Sequence, residues 1–205
     1  MQNEVENTEY LGRQRRGRLV FLSMLIFFMT PIVAVIAMYK LDWKPKGESI
    51  GELVTPAKLL TMDNPIITSE GSVAPASLWK EKWSMVYVTA SCEDACKNKL
   101  HTMRQLHVSL YKEIPRMQRV LISTSNNNVA ELKQIYPDML VLNQPTVGIN
   151  ALGNQFNIEN EQSITANRIY LVDPLGHLMM SYAPITDPAL IRKDISRLMK
   201  YSWAG

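Results

Sequence analysis

From Leu19 to Tyr39 the chain reads LVFLSMLIFFMTPIVAVIAMY, 21 residues with no charged side chain and no polar stripe at helical spacing. At a rise of about 1.5 Å per residue such a helix crosses the ~30 Å hydrocarbon core of a bilayer. A long helix at the surface of a soluble core would carry one polar face. Pro31 is tolerable in a membrane helix, where it kinks the segment rather than stopping it. Beyond Tyr39 the pattern weakens. Residues 40–78 hold Pro45, Pro56, Pro65 and Pro75 and little periodicity, and read as a spacer followed by irregular or short-strand structure that includes Gly51–Pro56.

From Trp79 the pattern sharpens. Ser84–Ala90 (SMVYVTA) is β-branched and aromatic, which predicts a strand. Leu100, Met103, Leu106 and Leu110 recur at three and four, which predicts a helix from about Cys92 to Lys112. Arg119–Ser123 is a second strand, Ser125 with Asn126, Asn127 and Asn128 a turn and helix cap, and Val129–Tyr136 a short helix ended by Pro137. Met139–Leu142 is a further short strand. Arg168–Asp173, the turn Pro174–Gly176 and His177–Tyr182 predict a hairpin, and Asp187-Pro188 opens a final helix to about Tyr201. Two parallel β-α-β steps, an antiparallel hairpin and a closing helix predict an α/β, thioredoxin-like domain. The expected organisation is a tail over 1–18, a transmembrane helix over 19–39, a spacer and irregular extension over 40–78, and the thioredoxin-like domain over 79–205.

Charge sets the expected orientation. Arg13, Arg15, Arg16 and Arg18 crowd one flank of the apolar segment, whereas Lys40, Asp42, Lys44 and Lys46 follow it. The positive-inside rule then places residues 1–18 in the cytoplasm and the domain beyond an inner membrane, in the periplasm. A cleaved signal peptide fits less well, because its apolar region spans about 7–15 residues and ends in a small-x-small site. Ala34 and Ala37 instead lie inside the apolar run. Beyond residue 18 the chain keeps 18 basic and 16 acidic residues with no basic block, so nothing nominates nucleic acid as a partner.

The chain has two cysteines, Cys92 and Cys96, at the expected junction of the first strand and first helix. Free N–H groups at a helix start lower a thiol pKa, while Glu93 and Asp94 act in the opposite direction. Residues four apart on a helix have Cβ atoms about 5–6 Å apart. A disulfide wants roughly 3.5–4.5 Å, so it would require a loosened first turn. Two thiolates at helical spacing would instead chelate Cu(I) without distortion. A fixed disulfide in an oxidising compartment is the third option, although so short a loop removes little unfolded-state entropy.

A strand feeding Cys92-x-x-x-Cys96, the later segment Ile169-Tyr-Leu-Val-Asp-Pro-Leu-Gly176, and the anchor together resemble the Sco/SenC family over about residues 50–205. Those are membrane-anchored, thioredoxin-like proteins that help assemble cytochrome c oxidase. The resemblance implies copper binding by two Cys and one distant His, and electron exchange between the Cys pair and oxidase thiols. The His position of that family falls here on Thr165.

None of the three His is placed to substitute. His177 follows the hairpin turn about 20 Å from the Cys end of the sheet. His101 points to another helix face, and His107 lies about 16 Å down the helix. Trp79 and Trp83 read as core anchors for the first strand, and the methionines as anchor or core residues. The P-loop, zincin and hydrolase-elbow motifs do not occur.

The function these features suggest is a membrane-tethered assembly factor. It would act on cytochrome c oxidase subunit thiols and be recharged by a thiol reductant. Cys92 is expected as the more exposed thiolate and Cys96 as its resolving or co-ligating partner. Both are also the candidate metal ligands, with Cu(I) the one cofactor nominated. A general periplasmic thiol-disulfide oxidoreductase and a non-catalytic interaction protein with a structural disulfide are the alternatives.

Overall fold

The computed structural model describes residues 2–41, 49–125 and 127–202, with side chains from residue 17 onward. Of the charges used for orientation, Arg13, Arg15, Arg16, Asp42, Lys44 and Lys46 lie outside those described side chains, as does Asn126 of the predicted turn. Two units are distinguished, residues 1–48 and residues 49–205.

The first unit is one helix, α1 (Gln2–Lys40), continuous through Pro31. Within residues 17–40 an 18-residue stretch reaches a mean hydropathy of 2.7 with none of it buried, which makes this helix long and apolar enough to cross a membrane. Ser23 and Thr30 of its apolar stretch bond back to the helix itself. Ser23 Oγ donates to Val20 O at 2.8 Å and Thr30 Oγ1 to Ile26 O at 2.6 Å, so neither needs water.

In the second unit β2 (Trp83–Thr89) buries all seven of its residues. A strand covered on both faces cannot alternate apolar and polar positions, which is why SMVYVTA reads as a continuous run. Around it lie β1 (Glu52–Leu59), α2 (Asp94–Val108), a 3-10 helix (Tyr111–Arg116), β3 (Met117–Ser123) and α3 (Val129–Ile135). Next in the chain come β4 (Leu140–Leu142), α4 (Val147–Gln155), α5 (Ser163–Ala166), β5 (Ile169–Val172), β6 (His177–Tyr182) and α6 (Pro188–Tyr201). The sheet order is β1-β6-β5-β2-β3-β4. β2, β3 and β4 run parallel, and β5 and β6 form the antiparallel hairpin. This is the expected thioredoxin-like α/β arrangement. One apolar layer joins Met85, Leu121 and Leu171 to α2 and α6. The other joins Val86, Val120, Ile122 and Tyr170 to Ile149 and Leu152 of α4 and to Trp79 and Phe156. Trp79 and Trp83 are both core residues, as their pattern predicts.

Three features differ from the sequence reading. Of the segment 40–78 expected as a spacer followed by irregular or short-strand structure, residues 49–78 belong to the globular unit, and the short strand expected near Gly51–Pro56 is present as β1. β1 pairs antiparallel with β6, and Val54, Leu60, Ile66 and Leu78 enter the core. Val54 is the one buried residue of β1, so alternation was absent. Pro56 is accommodated because β1 is an edge strand whose register shifts between Leu53 and Lys58. The second difference is helix α2, which ends at Val108 instead of Lys112. Ser109 Oγ bonds back to Leu106 O at 2.6 Å, and Tyr111 takes a positive φ of 50°. Third, α4 and α5 were not anticipated. The α4 sequence VGINALGNQ is poor in helix formers, and burial of Ile149 and Leu152 decides its conformation. Gly148 fits closely there, because a Cβ would lie 3.2 Å from Asn64 Cβ and 3.3 Å from Pro65 O, contacts its neighbours would have to yield to.

One ion pair, between a buried arginine and an exposed carboxylate, ties the chain just beyond α3 to the sheet. Arg119 of β3 is 1% exposed, donates through Nη2 to Asp138 Oδ1, and lies 5.6 Å from the Tyr136 ring centroid. Burial alone would raise the Asp138 pKa. The hydrogen bond and charge of Arg119, helped by His107, outweigh it and hold the carboxyl below its ordinary range. Because the folded pKa is depressed, this contribution to stability is present above the unfolded pKa, near 4, and is lost as pH falls through the folded value. Asp138→Asn should therefore cost roughly 1–2 kcal/mol at pH 7, less than breaking a fully buried pair, because the carboxylate is solvent-exposed and the amide oxygen can still accept from Arg119. Its acid unfolding limb below about pH 4 should be shallower than in the parent, as read by circular dichroism against pH.

Candidate functional site

The loop Ala90–Glu93 leaves the end of β2 and feeds α2, and it holds the chemistry. Cys92 and Cys96 are joined in a disulfide with Cα atoms 5.0 Å apart, inside the usual range. The helical-spacing argument does not apply, because Glu93 is the N-cap and Asp94 the first helical residue. Cys92 thus sits before the helix, where the extended backbone swings it over the first turn to meet Cys96. The two sulfurs bond without any loosening of α2, and Cu(I) chelation at helical spacing is not the arrangement present.

Neither cysteine is exposed. Cys92 is 1% and Cys96 2% accessible, so the expectation that Cys92 is the more exposed sulfur is corrected. Both belong to the apolar layer that includes Leu100, Leu132 and Tyr87. The predicted helix places Cys96 on the same face as Leu100 and Met103, and packing that face against the sheet buries it.

The loop around the pair is held from β3 and from α3. Thr89 Oγ1 donates to Ser91 O at 2.8 Å, and Thr124 Oγ1 donates to Ala90 O at 3.2 Å. Asn128 Nδ2 donates to Cys92 O at 3.0 Å. Lys97, beside Cys96, bonds both carboxylate oxygens of Glu131 at 3.0 and 3.1 Å. The sequence reading treated Asn128 only as turn and cap. It is the N-cap of α3 but gives that helix no side-chain bond, having taken a left-handed φ of 63°. A side-chain amide spent outside its own helix leaves no signature in the sequence.

β5 runs antiparallel to β2 with Tyr87 opposite Ile169, so the chain preceding β5 reaches the disulfide end of the sheet. Tyr87 Oη donates to Asn167 Oδ1 at 2.8 Å and fixes that approach. Thr165 is exposed in α5 and its hydroxyl donates to Gln162 O at 3.2 Å. One turn beyond Cys96, burial pulls the Lys99 ammonium pKa below its ordinary value, and its Nζ donates to Pro184 O at 3.3 Å.

The histidines are engaged elsewhere. His101 pairs with Gln105 at 3.0 Å on the surface of α2. His107 Nε2 meets Met117 O at 3.0 Å and Ile114 O at 3.2 Å, pinning α2 to the start of β3. His177 Nδ1 meets Asp173 Oδ2 at 3.2 Å across the hairpin turn. Among the described residues no group of three His, Cys, Asp or Glu side chains is arranged to hold a metal ion. The donors present are two sulfurs bonded to each other, which do not fit a three-ligand copper centre. The chemistry this arrangement can perform is opening and closing of a disulfide.

Residues 83–202 match the family model described as transmembrane-like, thioredoxin-like, C-terminal domain. Among curated proteins none matches the chain. Among solved structures, yeast Sco1 with copper bound is 18% identical over 75% of this chain and 90% of that one, with a TM-score of 0.56. Arabidopsis thaliana ScoI with copper bound is 16% identical over 75% of this chain and all of that one, with a TM-score of 0.55. A SCO1/SenC family lipoprotein from Bacillus anthracis is 19% identical over 72% and 97% of the two chains, with a TM-score of 0.54. At these identities the likeness is one of fold, a Sco-type thioredoxin-like domain.

Closing so short a loop is worth about 2 kcal/mol in the chain-entropy account. The Cys92→Ser, Cys96→Ser double variant should therefore unfold about 4–8 °C below the parent, measured by thermal circular dichroism of the oxidised full chain in detergent.

Proposed function

The chain belongs to the transmembrane-like, thioredoxin-like family whose C-terminal-domain model covers residues 83–202, and from that premise we propose that it is a membrane-tethered assembly factor for cytochrome c oxidase working by thiol-disulfide exchange. The observation that carries the reading is a disulfide at the junction of the central strand and the first helix, with no third His, Cys, Asp or Glu grouped with it to hold a metal ion among the described residues. The resemblance of the Cys92-x-x-x-Cys96 and Ile169–Gly176 segments to Sco/SenC proteins supplies the client, and the long apolar helix α1 supplies the tether.

In the exchange, a dithiol reductant first gives two electrons and two protons to the Cys92–Cys96 bond, leaving two thiols and an oxidised donor. The Cys92 thiolate then attacks a client disulfide, forming a mixed disulfide and releasing one client thiolate, which takes up a proton. Cys96, once deprotonated, attacks the Cys92 sulfur, reforms the internal bond and releases the second client thiol. Cys92 is assigned the attacking role because it precedes the free N–H groups at the start of α2, where a thiolate is favoured. The domain works in the periplasm of an inner membrane, with residues 1–18 cytoplasmic. Cu(I), as cargo of the reduced pair, would rest on two thiolates alone. Burial of both cysteines is the observation that favours a second reading, a non-catalytic protein with a structural bridge.

The test uses the full chain, reduced in detergent and freed of reductant. It is mixed with an oxidised peptide carrying the paired copper-site cysteines of an oxidase subunit, and separately with insulin. Stoichiometric reduction of the peptide with little turnover of insulin is expected. Cys92→Ser should abolish it, and Cys96→Ser should accumulate the mixed disulfide seen by mass spectrometry. Equal turnover of insulin would instead identify a general oxidoreductase, and reduction of neither would leave the structural bridge. Failure to withdraw Cu(I) from a competing chelator would exclude copper cargo.

A further inference from the structure

A disulfide 1–2% exposed at both residues cannot be reached by the thiolate of another protein, so exchange requires something to move. The elements around the loop differ in how firmly they are held. Thr124 follows directly from β3 in the middle of the sheet, and its N–H also donates to Thr89 O at 3.3 Å. α3 is different. It has seven residues, fewer than two turns, and a helix so short has little stability of its own. Leu132 is its one fully buried side chain, and Val129 packs partly buried against the same apolar layer that contains both cysteines.

The two ends of α3 are unequally fixed. Beyond its last turn, Asp138 accepts from the buried Arg119, and Lys133 bonds Met139 O at 3.2 Å and Glu70 at 2.8 Å. At its first turn one polar contact reaches the redox loop, Asn128 to Cys92 O, and a second reaches α2 just beyond Cys96, Glu131 to Lys97. The second of these is an exposed ion pair, worth little and weakened by salt. The far end of α3 is held by the buried Arg119, while its first turn, entered from a linker bonded to Ser123 at Ser125, is latched to the Cys92 carbonyl and to Lys97, which is the build of a lid.

We propose that the first turn of α3 is a lid over the Cys92–Cys96 disulfide. Asn128 and the Lys97–Glu131 pair latch it shut, and a thiol reaches the sulfurs only when it swings away about the Asp138 end. This regulation rests on the reading above that the disulfide exchanges with thiols. Asn128 is a positioning residue here, because it holds the backbone of Cys92 and touches no reacting atom.

The test is the rate at which reduced glutathione opens the disulfide in the full chain in detergent, two glutathione thiols becoming one glutathione disulfide. Asn128→Gly keeps the left-handed backbone and removes only the amide, and should speed reduction about fivefold, the worth of one hydrogen bond. Glu131→Gln should speed it about twofold. Added sodium chloride should speed the parent but leave Glu131→Gln unchanged. Thermal unfolding midpoints of the variants confirm that each is folded. If Asn128→Gly does not fold, the surface change Glu131→Gln and the salt dependence still decide. Ready reduction at equal rates in parent and variants, with no salt effect, overturns the lid and leaves the exchange reading standing. Resistance of all variants to reduction short of unfolding overturns both.

Discussion

Strand β2 lies in the middle of the sheet with both faces covered, and most of the unit follows from that constraint. A strand with seven buried residues needs an apolar layer on each side. α2 and α6 supply one, while α4 and the segment through Trp79 supply the other. Its neighbours β3 and β5 must also be strands that bury every backbone group, because no water reaches the ladder. The loop leaving β2 therefore has a fixed starting point and a fixed direction. Cys92 inherits its position from the centre of the core.

What happens at that loop is decided by a difference of two residues. With the N-cap at Glu93, Cys92 falls outside α2 and Cys96 inside it. The pair can then close a disulfide of ordinary geometry, and closure draws both sulfurs into the apolar layer. A disulfide placed so deep is shielded from solvent, with Cys92 1% and Cys96 2% exposed. The same layer continues into Leu132 of α3, which couples the disulfide to a helix of marginal stability. Arg119, buried with Asp138 as its carboxylate partner, holds the far end of that helix to the sheet. The site thus joins a rigid floor, made by β2 and β3, to a roof that is firm at one end.

The long apolar helix, the central strand, the parallel β-α-β steps, the hairpin and the closing helix were legible in the sequence. Each announces itself through short-range periodicity or an uninterrupted apolar run, and those patterns report local burial. The two cysteines were legible as a pair for the same reason, since they fall at a strand-to-helix boundary that the pattern marks. Tertiary packing decided the rest. β1 buries one residue and joins the sheet through backbone hydrogen bonds, which no side-chain pattern encodes. α4 is helical in spite of its glycines and asparagines because the sheet face needs cover there. The depth of Cys92, the bond from Asn128 and the pairing of Lys97 with Glu131 all depend on segments about 35 residues apart meeting at one end of the sheet. Sequence determined which residues could do chemistry; only the fold determined that they are closed off, because burial is set by what packs against a residue from elsewhere in the chain.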